Sequence, residues 1–270
     1  MPEGDTVWRA ARQLDRSLSG KVLTRTDFRV PAFATWDLAG ATVEQTLSRG
    51  KHLLTRIAAG ERWTLHTHLK MEGAWRVLRR GQSWPRPAHT ARVVLETDDN
   101  VAVGFQLGIV EIVAREGEPE LVGHLGPDLL GPDWDAVEAV RRICEQPERP
   151  IKNALLDQSR LAGIGNMYAN ELCFIGGVAP ETAVEQVPDL PRMVARAHQM
   201  LDLNRRRAVQ STTGDLGRGR TFWVHGRSGQ PCRRCGTTIV QSMVGEPGRE
   251  RATFHCPSCQ PLRGAPADGR

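Results

Sequence analysis

The feature that most constrains this chain lies in its last fifth, where Cys232-x2-Cys235 is followed after twenty residues by Cys256-x2-Cys259. Each C-x2-C pair sits in a tight knuckle that aims two thiolates at one tetrahedral ion. Two such pairs read as a closed structural site with one Zn²⁺, which clamps a fold instead of doing chemistry. The expected ligands are Cys232, Cys235, Cys256 and Cys259. Between Gly217 and Pro261 stand seven arginines (Arg218, Arg220, Arg227, Arg233, Arg234, Arg249, Arg251) against two acids (Glu246, Glu250). The excess of positive charge survives subtraction of the −2 of a four-thiolate zinc centre. A basic hairpin on a metal clamp predicts a polyanionic partner.

The rest of the composition fits that partner without demanding it. A chain of 270 residues, 40% hydrophobic and 25% charged, can bury the cores of two ordinary domains. A net charge of +5 and a pI near 9.1 favour nucleic acid or another anionic surface. No apolar run approaches the roughly 20 residues of a membrane-spanning helix, and the opening Met-Pro-Glu-Gly-Asp is acidic where a secretory signal is basic. The expected location is cytoplasmic, nucleoid-associated in a bacterium, with no membrane partner. Cys144 and Cys173 fall in apolar helical contexts, where a free cysteine behaves as a small buried hydrophobe, so no disulfide is expected.

Periodicity divides the chain into a strand-rich and a helical half. From Asp5 to Leu18, Val7, Ala11, Leu14 and Leu18 recur at helical spacing, with Asp5 or Thr6 available as cap and Gly20 past the end. Eight short runs rich in Val, Ile, Thr and Trp follow, at 22–30, 42–48, 52–58, 62–68, 74–78, 91–96, 101–107 and 109–114, which implies a β-sandwich or barrel. The Gly- and Pro-rich stretch that comes next lacks any sustained period and reads as a linker at 117–131. Helical patterns occupy 134–145, 151–158, 166–174 and 190–205, and the polar stretch 210–220 reads as a mobile loop. The expected organisation is a catalytic domain at 1–116, a helical domain at 132–216, a four-cysteine zinc finger at 217–261 and a disordered tail at 262–270.

Several residues can carry chemistry. Methionine before proline is normally removed, which would leave the secondary amine of Pro2 at the chain start. A helix beginning within a few residues anchors that terminus, and its positive end disfavours protonation of the amine, so the nitrogen is a nucleophile able to form an iminium at a sugar C1′. Glu3 beside it can deliver or shuttle a proton, or can simply favour the helix dipole. Lys51 heads a strand after Gly50, where a tight turn can project it into a cleft; a lysine protecting a sheet edge reads the same way. His66 and His68 alternate on one strand face, with no third metal ligand at suitable spacing. Leu161-Ala162-Gly163-Ile164-Gly165-Asn166 can free backbone N–H groups for a phosphate at a helix N-terminus, or can be an ordinary turn capped by Asn166.

Met1-Pro2-Glu3-Gly4, Arg49-Gly50-Lys51-His52-Leu53-Leu54, the Leu161 to Asn166 turn, and the cysteine quartet with Arg251-Ala252-Thr253-Phe254-His255-Cys256 occur together and in this order. In this the chain resembles, nearly end to end, the formamidopyrimidine-DNA glycosylase and endonuclease VIII family of base-excision repair enzymes. The resemblance implies an α+β fold: an N-terminal helix with a two-sheet β-sandwich, then a helical domain with a helix–two-turn–helix element and a C-terminal zinc-finger hairpin, with DNA between. It implies that Pro2 is the Schiff-base nucleophile, Glu3 the acid assisting sugar opening, Lys51 a phosphate contact assigned to β-elimination, and Arg251 the hairpin arginine linked to δ-elimination. Asn166 and Lys152 resemble the family's phosphate-binding pair. The reaction implied is removal of an oxidised base from duplex DNA followed by strand cleavage, by a monomer.

A base inside stacked duplex is unreachable, so it must be flipped out and the hole filled. Met71 occupies the place of the family's apolar wedge, with Lys70 beside it as a DNA contact. The chain departs from both well-known branches. Gly104 to Gly108 lacks the Arg-Phe pair of the formamidopyrimidine branch, Lys70-Met71-Glu72 keeps only the apolar centre of the endonuclease VIII trio, and His124 stands where an arginine on phosphate is expected. The Gly4-Asp5-Thr6 opening and the short 210–220 loop lean toward endonuclease VIII, and so toward oxidised pyrimidines and abasic sites. The alternatives are an oxidised-purine glycosylase of the same fold, a non-catalytic binder of damaged DNA, and an RNA-processing factor. An aromatic content of 5% speaks against the last, which would need stacking platforms.

Overall fold

The computed structural model describes residues 2–245, 248 and 250–262; the expected tail beyond Leu262, with Met1, Glu246 and Arg249, lies outside them. The chain forms two compact units, 1–124 and 125–270, so the division falls inside the stretch read as a linker. No helix among the described residues is long and apolar enough to cross a membrane.

The first unit opens with α1 (Gly4–Leu18), whose apolar stripe Val7, Ala11, Leu14 and Leu18 is buried as its spacing requires. Glu3, not Asp5 or Thr6, holds the N-cap position. Eight strands follow in the expected order: β1 (Arg25–Phe28), β2 (Thr42–Arg49), β3 (His52–Ala59), β4 (Glu61–His68), β5 (Ala74–Arg79), β6 (Ala91–Glu96), β7 (Asn100–Phe105) and β8 (Ile109–Ala114). They make two antiparallel four-stranded sheets, ordered β2-β3-β4-β8 and β1-β6-β7-β5. Inward residues of both sheets, among them Val43, Leu53, Ile57 and Leu65 from one and Phe28, Trp75, Val93 and Leu95 from the other, share a core with α1. The alternative of a closed barrel is thereby settled in favour of a sandwich. The stretch after β8 is less irregular than its composition suggests. Pro119 stands in the first turn of α2 (Glu118–Val122), and the buried Glu118 pairs with Arg56 Nη2 at 2.8 Å.

The second unit contains α3 (Ala136–Ile143), α4 (Ile151–Leu156), α5 (Asn166–Gly176) and α6 (Leu190–Asn204), then the hairpin β9 (Val240–Val244) and β10 (Arg251–His255). Asp135 and Asp189 cap α3 and α6 by accepting backbone N–H groups. One core gathers the helices, and a smaller one around Phe174, Val224, Ile239 and Phe254 includes Cys232 and Cys256. Cys173 is buried as expected, but Cys144 is exposed because α3 ends one residue before it. The 210–220 loop is not loose: Asn204 exchanges two hydrogen bonds with the backbone of Ser211, and the hydroxyls of Ser211 and Thr213 bond the carbonyls of Asp215 and Arg220 at 2.8 Å.

Candidate catalytic and nucleic-acid-binding site

In the first unit, Pro2 is half-buried immediately before α1, and Glu3 is fully buried at its N-cap with its carbonyl accepting the Val7 N–H at 3.0 Å. The Glu3 carboxyl group is thus closed off from water beside a helix N-terminus. Lys51 forms with Gly50 the two-residue turn that joins β2 to β3. The left-handed Gly50 (φ +56°) is what a hairpin this tight requires.

The turn places a set of imidazoles at one end of the β2-β3-β4-β8 sheet, which the sequence did not announce. His52 lies directly opposite His68, and His66 directly opposite Glu111. His52 Nδ1 and His66 Nε2 share a hydrogen bond of 2.8 Å, and His66 Nδ1 meets Glu111 Oε2 at 2.8 Å. His68 Nδ1 accepts the Lys70 N–H at 2.9 Å, and the His124 ring lies 6.2 Å from that of His52. Burial, then the neighbouring imidazoles and Lys70, push the pKa of His52 down to about 3. Burial, then Lys70 and Lys51, push that of His68 down to about 4. Both rings are therefore neutral at neutral pH. Among the described residues the four cysteines are the one group that brings three or more ligand atoms together, and the imidazoles form a hydrogen-bonded line.

Lys70 and Met71 sit on the loop that leaves β4. Buried Leu69 anchors it, its carbonyl accepts the Gly73 N–H at 2.8 Å, and Met71 projects with 62% of its surface exposed. Gly108 packs directly beneath it, since a Cβ there would lie 2.2 Å from Lys70 Cγ and would displace that side chain.

In the second unit, α4 and α5 form the helix–two-turn–helix element. Gly163 (φ +111°) makes the second turn, but its N–H is taken by Gln158 Oε1 at 3.1 Å, so this group is not left for a phosphate. Gly165 is the N-cap of α5, and Asn166 is its first residue. Asn166 Nδ2 donates to the Ala252 carbonyl at 2.8 Å, while its buried Oδ1 has no hydrogen-bond partner among the described residues. The same carbonyl receives Lys152 Nζ and Asn170 Nδ2, each at 3.4 Å, and Lys152 also donates to Thr253 Oγ1. Lys152 is thus fully buried against the hairpin, and burial pulls its pKa down to about 8. These donors pin β10 one residue beyond exposed Arg251. Arg251 borders a concavity of about 290 Å³ with Arg149, Asn153 and the Val244-Gly245 end of β9.

Glu171, fully buried on α5, accepts the N–H groups of Trp223, Val224 and His225 at 2.8 Å each and the hydroxyl of Thr212. It ties the approach to the cysteine knuckles onto the helix. Cys232 Sγ lies 3.9 Å from Cys259 Sγ and Cys235 Sγ 3.4 Å from Cys256 Sγ, and all four sulfurs fall within 4.8 Å of one another. Sulfurs about 2.3 Å from a central tetrahedral ion stand about 3.8 Å apart, so the quartet fits a metal ion and is too open for disulfides.

The model of the formamidopyrimidine-DNA glycosylase N-terminal domain matches residues 1–106, and that of the family's H2TH domain matches 125–214. The chain belongs to the formamidopyrimidine-DNA glycosylase and endonuclease VIII family. It is 50% identical over 260 residues to the DNA-(apurinic or apyrimidinic site) lyase Nei2 of Mycolicibacterium smegmatis, covering 96% of this chain and 99% of that protein. It is 32% identical over 278 residues to endonuclease 8 of Escherichia coli, covering 96% and 100%. The Lactococcus lactis Fpg complex with DNA containing an abasic site superposes with a TM-score of 0.77 at 22% identity, covering 96% and 100%, which shows the shared fold. Within the family frame, Asn170, Glu171 and Glu111 are the supporting residues that the motifs do not point to, and His66, weighed in the sequence only as a metal ligand, is the centre of a hydrogen-bonded His52-His66-Glu111 line.

Proposed function

We propose that this member of the glycosylase family is a bifunctional enzyme that removes oxidised bases, pyrimidines in preference, from duplex DNA and cleaves the strand at the abasic site. The observation that carries the reading is Glu3: a fully buried carboxyl group at the N-cap of α1, one residue from the half-buried Pro2. With Met1 removed, the Pro2 nitrogen attacks C1′ and displaces the base, and Glu3 moves the proton that opens the sugar ring. The iminium then acidifies C2′, so the 3′ phosphate leaves by β-elimination with Lys51 at the site, and Arg251 assists the δ step. Lys70, His124, Asn166 and Lys152 complete the DNA contacts or the framework that aims them, and Met71 fills the gap left by the flipped nucleotide. Cys232, Cys235, Cys256 and Cys259 would hold Zn²⁺, to which four soft thiolates are suited, and its role would be to fix the hairpin. Support also comes from the M. smegmatis relative, which is named as an abasic-site lyase.

The deciding experiment is borohydride trapping on a duplex with one abasic site, together with mass analysis of the purified chain. A covalent adduct at Pro2 is expected, and Pro2→Gly should retain more cleavage than a chain with its amine blocked. No adduct, or activity in a chain that keeps Met1, would refute the assignment.

A further inference from the structure

The second unit has two adjoining apolar concavities, each of about 340 Å³, that share Ile175 and Arg196. One lies over Met193, and the other over Met200, Leu203 and Trp223. Both are built on one face of α6, where residues 192, 196, 200 and 203 follow one another at intervals of three or four, the spacing of neighbours along a helix, with Arg207 three residues past the helix end. Leu203 is 54% exposed on this face, an apolar side chain of a kind normally placed inward.

The rim is cationic. Arg192 and Arg196 border the first concavity, and Arg196, Arg207 and Arg234 the second, against a single carboxylate, that of Asp189. Among the described residues Arg192, Arg196 and Arg234 have no acidic side chain within ion-pair distance; Arg234 lies over the Phe174 ring at 4.5 Å. Arginines elsewhere on the unit are largely neutralised, as Arg141 and Arg142 are by Glu138, and Arg149 by Asp157. The groove also stands apart from the groups assigned to DNA. It occupies the C-terminal half of α5, and its first lining residue there, Leu172, is six residues from Asn166, which at 1.5 Å per residue is about 9 Å along the helix.

We infer that this face of α6 is a docking site for an acidic peptide segment of another protein, one carrying two apolar side chains that enter the two concavities while its carboxylates meet the unpaired arginines. Met193 and Leu203 are ten helical residues apart, about 15 Å, so the two anchors lie about five positions apart in an extended segment. An apolar floor inside a cationic rim is the arrangement that gives a peptide site its affinity from the anchors, and its selectivity and association rate from charge. Duplex DNA offers the charge but no apolar side chains for the floor.

The test uses the full zinc-loaded protein and a fluorescein-labelled peptide of Asp and Glu with one Leu and one Phe about five positions apart. Saturable binding is expected. It should weaken as salt is raised and fall at least about tenfold in Arg192→Glu/Arg196→Glu, in Leu203→Asp, and when Leu and Phe in the peptide are replaced by Ser. An undamaged duplex should not displace the peptide, and abasic-site cleavage should be unchanged in Leu203→Asp. The Leu203 variant, at an exposed position, keeps the test decisive if the double charge reversal does not fold. Absence of saturable binding, or binding indifferent to both variants, overturns the inference. So does displacement by duplex with a matching loss of DNA affinity in the arginine variant, which would make the groove a nucleic-acid contact. The readout is peptide binding, so it stands or falls independently of the lyase assignment.

Discussion

Acidifying the protein from pH 7 to pH 5 should destabilise the N-terminal unit through two imidazoles. A free histidine titrates near 6.5, whereas His52 is held at about 3 and His68 at about 4, in both cases by burial first and neighbouring positive groups second. The folded state therefore binds fewer protons than the unfolded chain between those values and 6.5, and stability must fall as pH drops through that window. At pH 5 the unfolded imidazole is favoured by about 1.5 logarithmic units, which is about 2 kcal/mol for each ring and at most about 4 kcal/mol for both. That is a large share of the ~5–15 kcal/mol that holds an ordinary domain. Carboxylates such as Glu118, whose pKa is lowered by Arg56 and Thr64 against the opposing effect of burial, lose their contribution only as pH falls through the ordinary value of 4.5 and below, so the imidazoles dominate between pH 6.5 and 5. Urea unfolding at pH 5, 6, 7 and 8, with hydrogen exchange read on β3 and β4, measures the slope. In His52→Gln/His68→Gln the slope should flatten between pH 5 and 6.5. A wild-type stability level across that interval, or the same slope in the double variant, would refute the reasoning.

Other perturbations read other parts of the framework. Glu171→Ala leaves three buried N–H groups without their acceptor, at about 1 kcal/mol or more each, so a loss of about 3 kcal/mol and faster metal release to a chelator are expected in denaturation and chelation assays. Gly108→Ala forces Lys70 to move, and anisotropy titration with an abasic duplex should show weakened binding alongside a stability loss of about 1–3 kcal/mol. Arg251→Ala should lower the magnitude of the salt slope of DNA binding by about one unit, as loss of one phosphate contact does. Lys152→Met removes a buried amine whose pKa is pulled from 10.5 to about 8, so in parallel melts the variant should gain more stability over the wild type at pH 7 than at pH 10, while binding DNA less well as the hairpin loses a donor.

Much of this architecture was legible because it rests on local rules. The stripe Val7-Ala11-Leu14-Leu18, the eight alternating runs, the Gly50-Lys51 turn and the paired C-x2-C knuckles each show their structure within a few residues. What stayed hidden depends on register and tertiary approach. Nothing adjacent to His52 reveals that it faces His68, because that pairing follows only once β3 and β4 are aligned. Glu171 reads in sequence as one more acid on a helix, yet the segment 223–225 wraps over it from more than fifty residues away. Lys152 resembles a phosphate-binding lysine in the sequence, yet it is fully buried, because the hairpin strand β10 closes over it.

The recurrence of buried polar groups around β10 has a physical logic. A hairpin of two five-residue strands is at best marginally stable alone, and a metal at its base would fix the cysteines but not the far end of the strand. Arg251 lies at that far end, so its direction must be set by something other than the ion. The Ala252 carbonyl supplies it. Lys152 from α4 and Asn166 and Asn170 from α5 converge on this one oxygen, and Asn170 Oδ1 accepts the Phe254 N–H two residues on. A carbonyl that several donors share is costly to displace, since moving it strands those donors together. The helix pair therefore reaches the arginine through the backbone beside it, leaving the guanidinium side chain itself exposed.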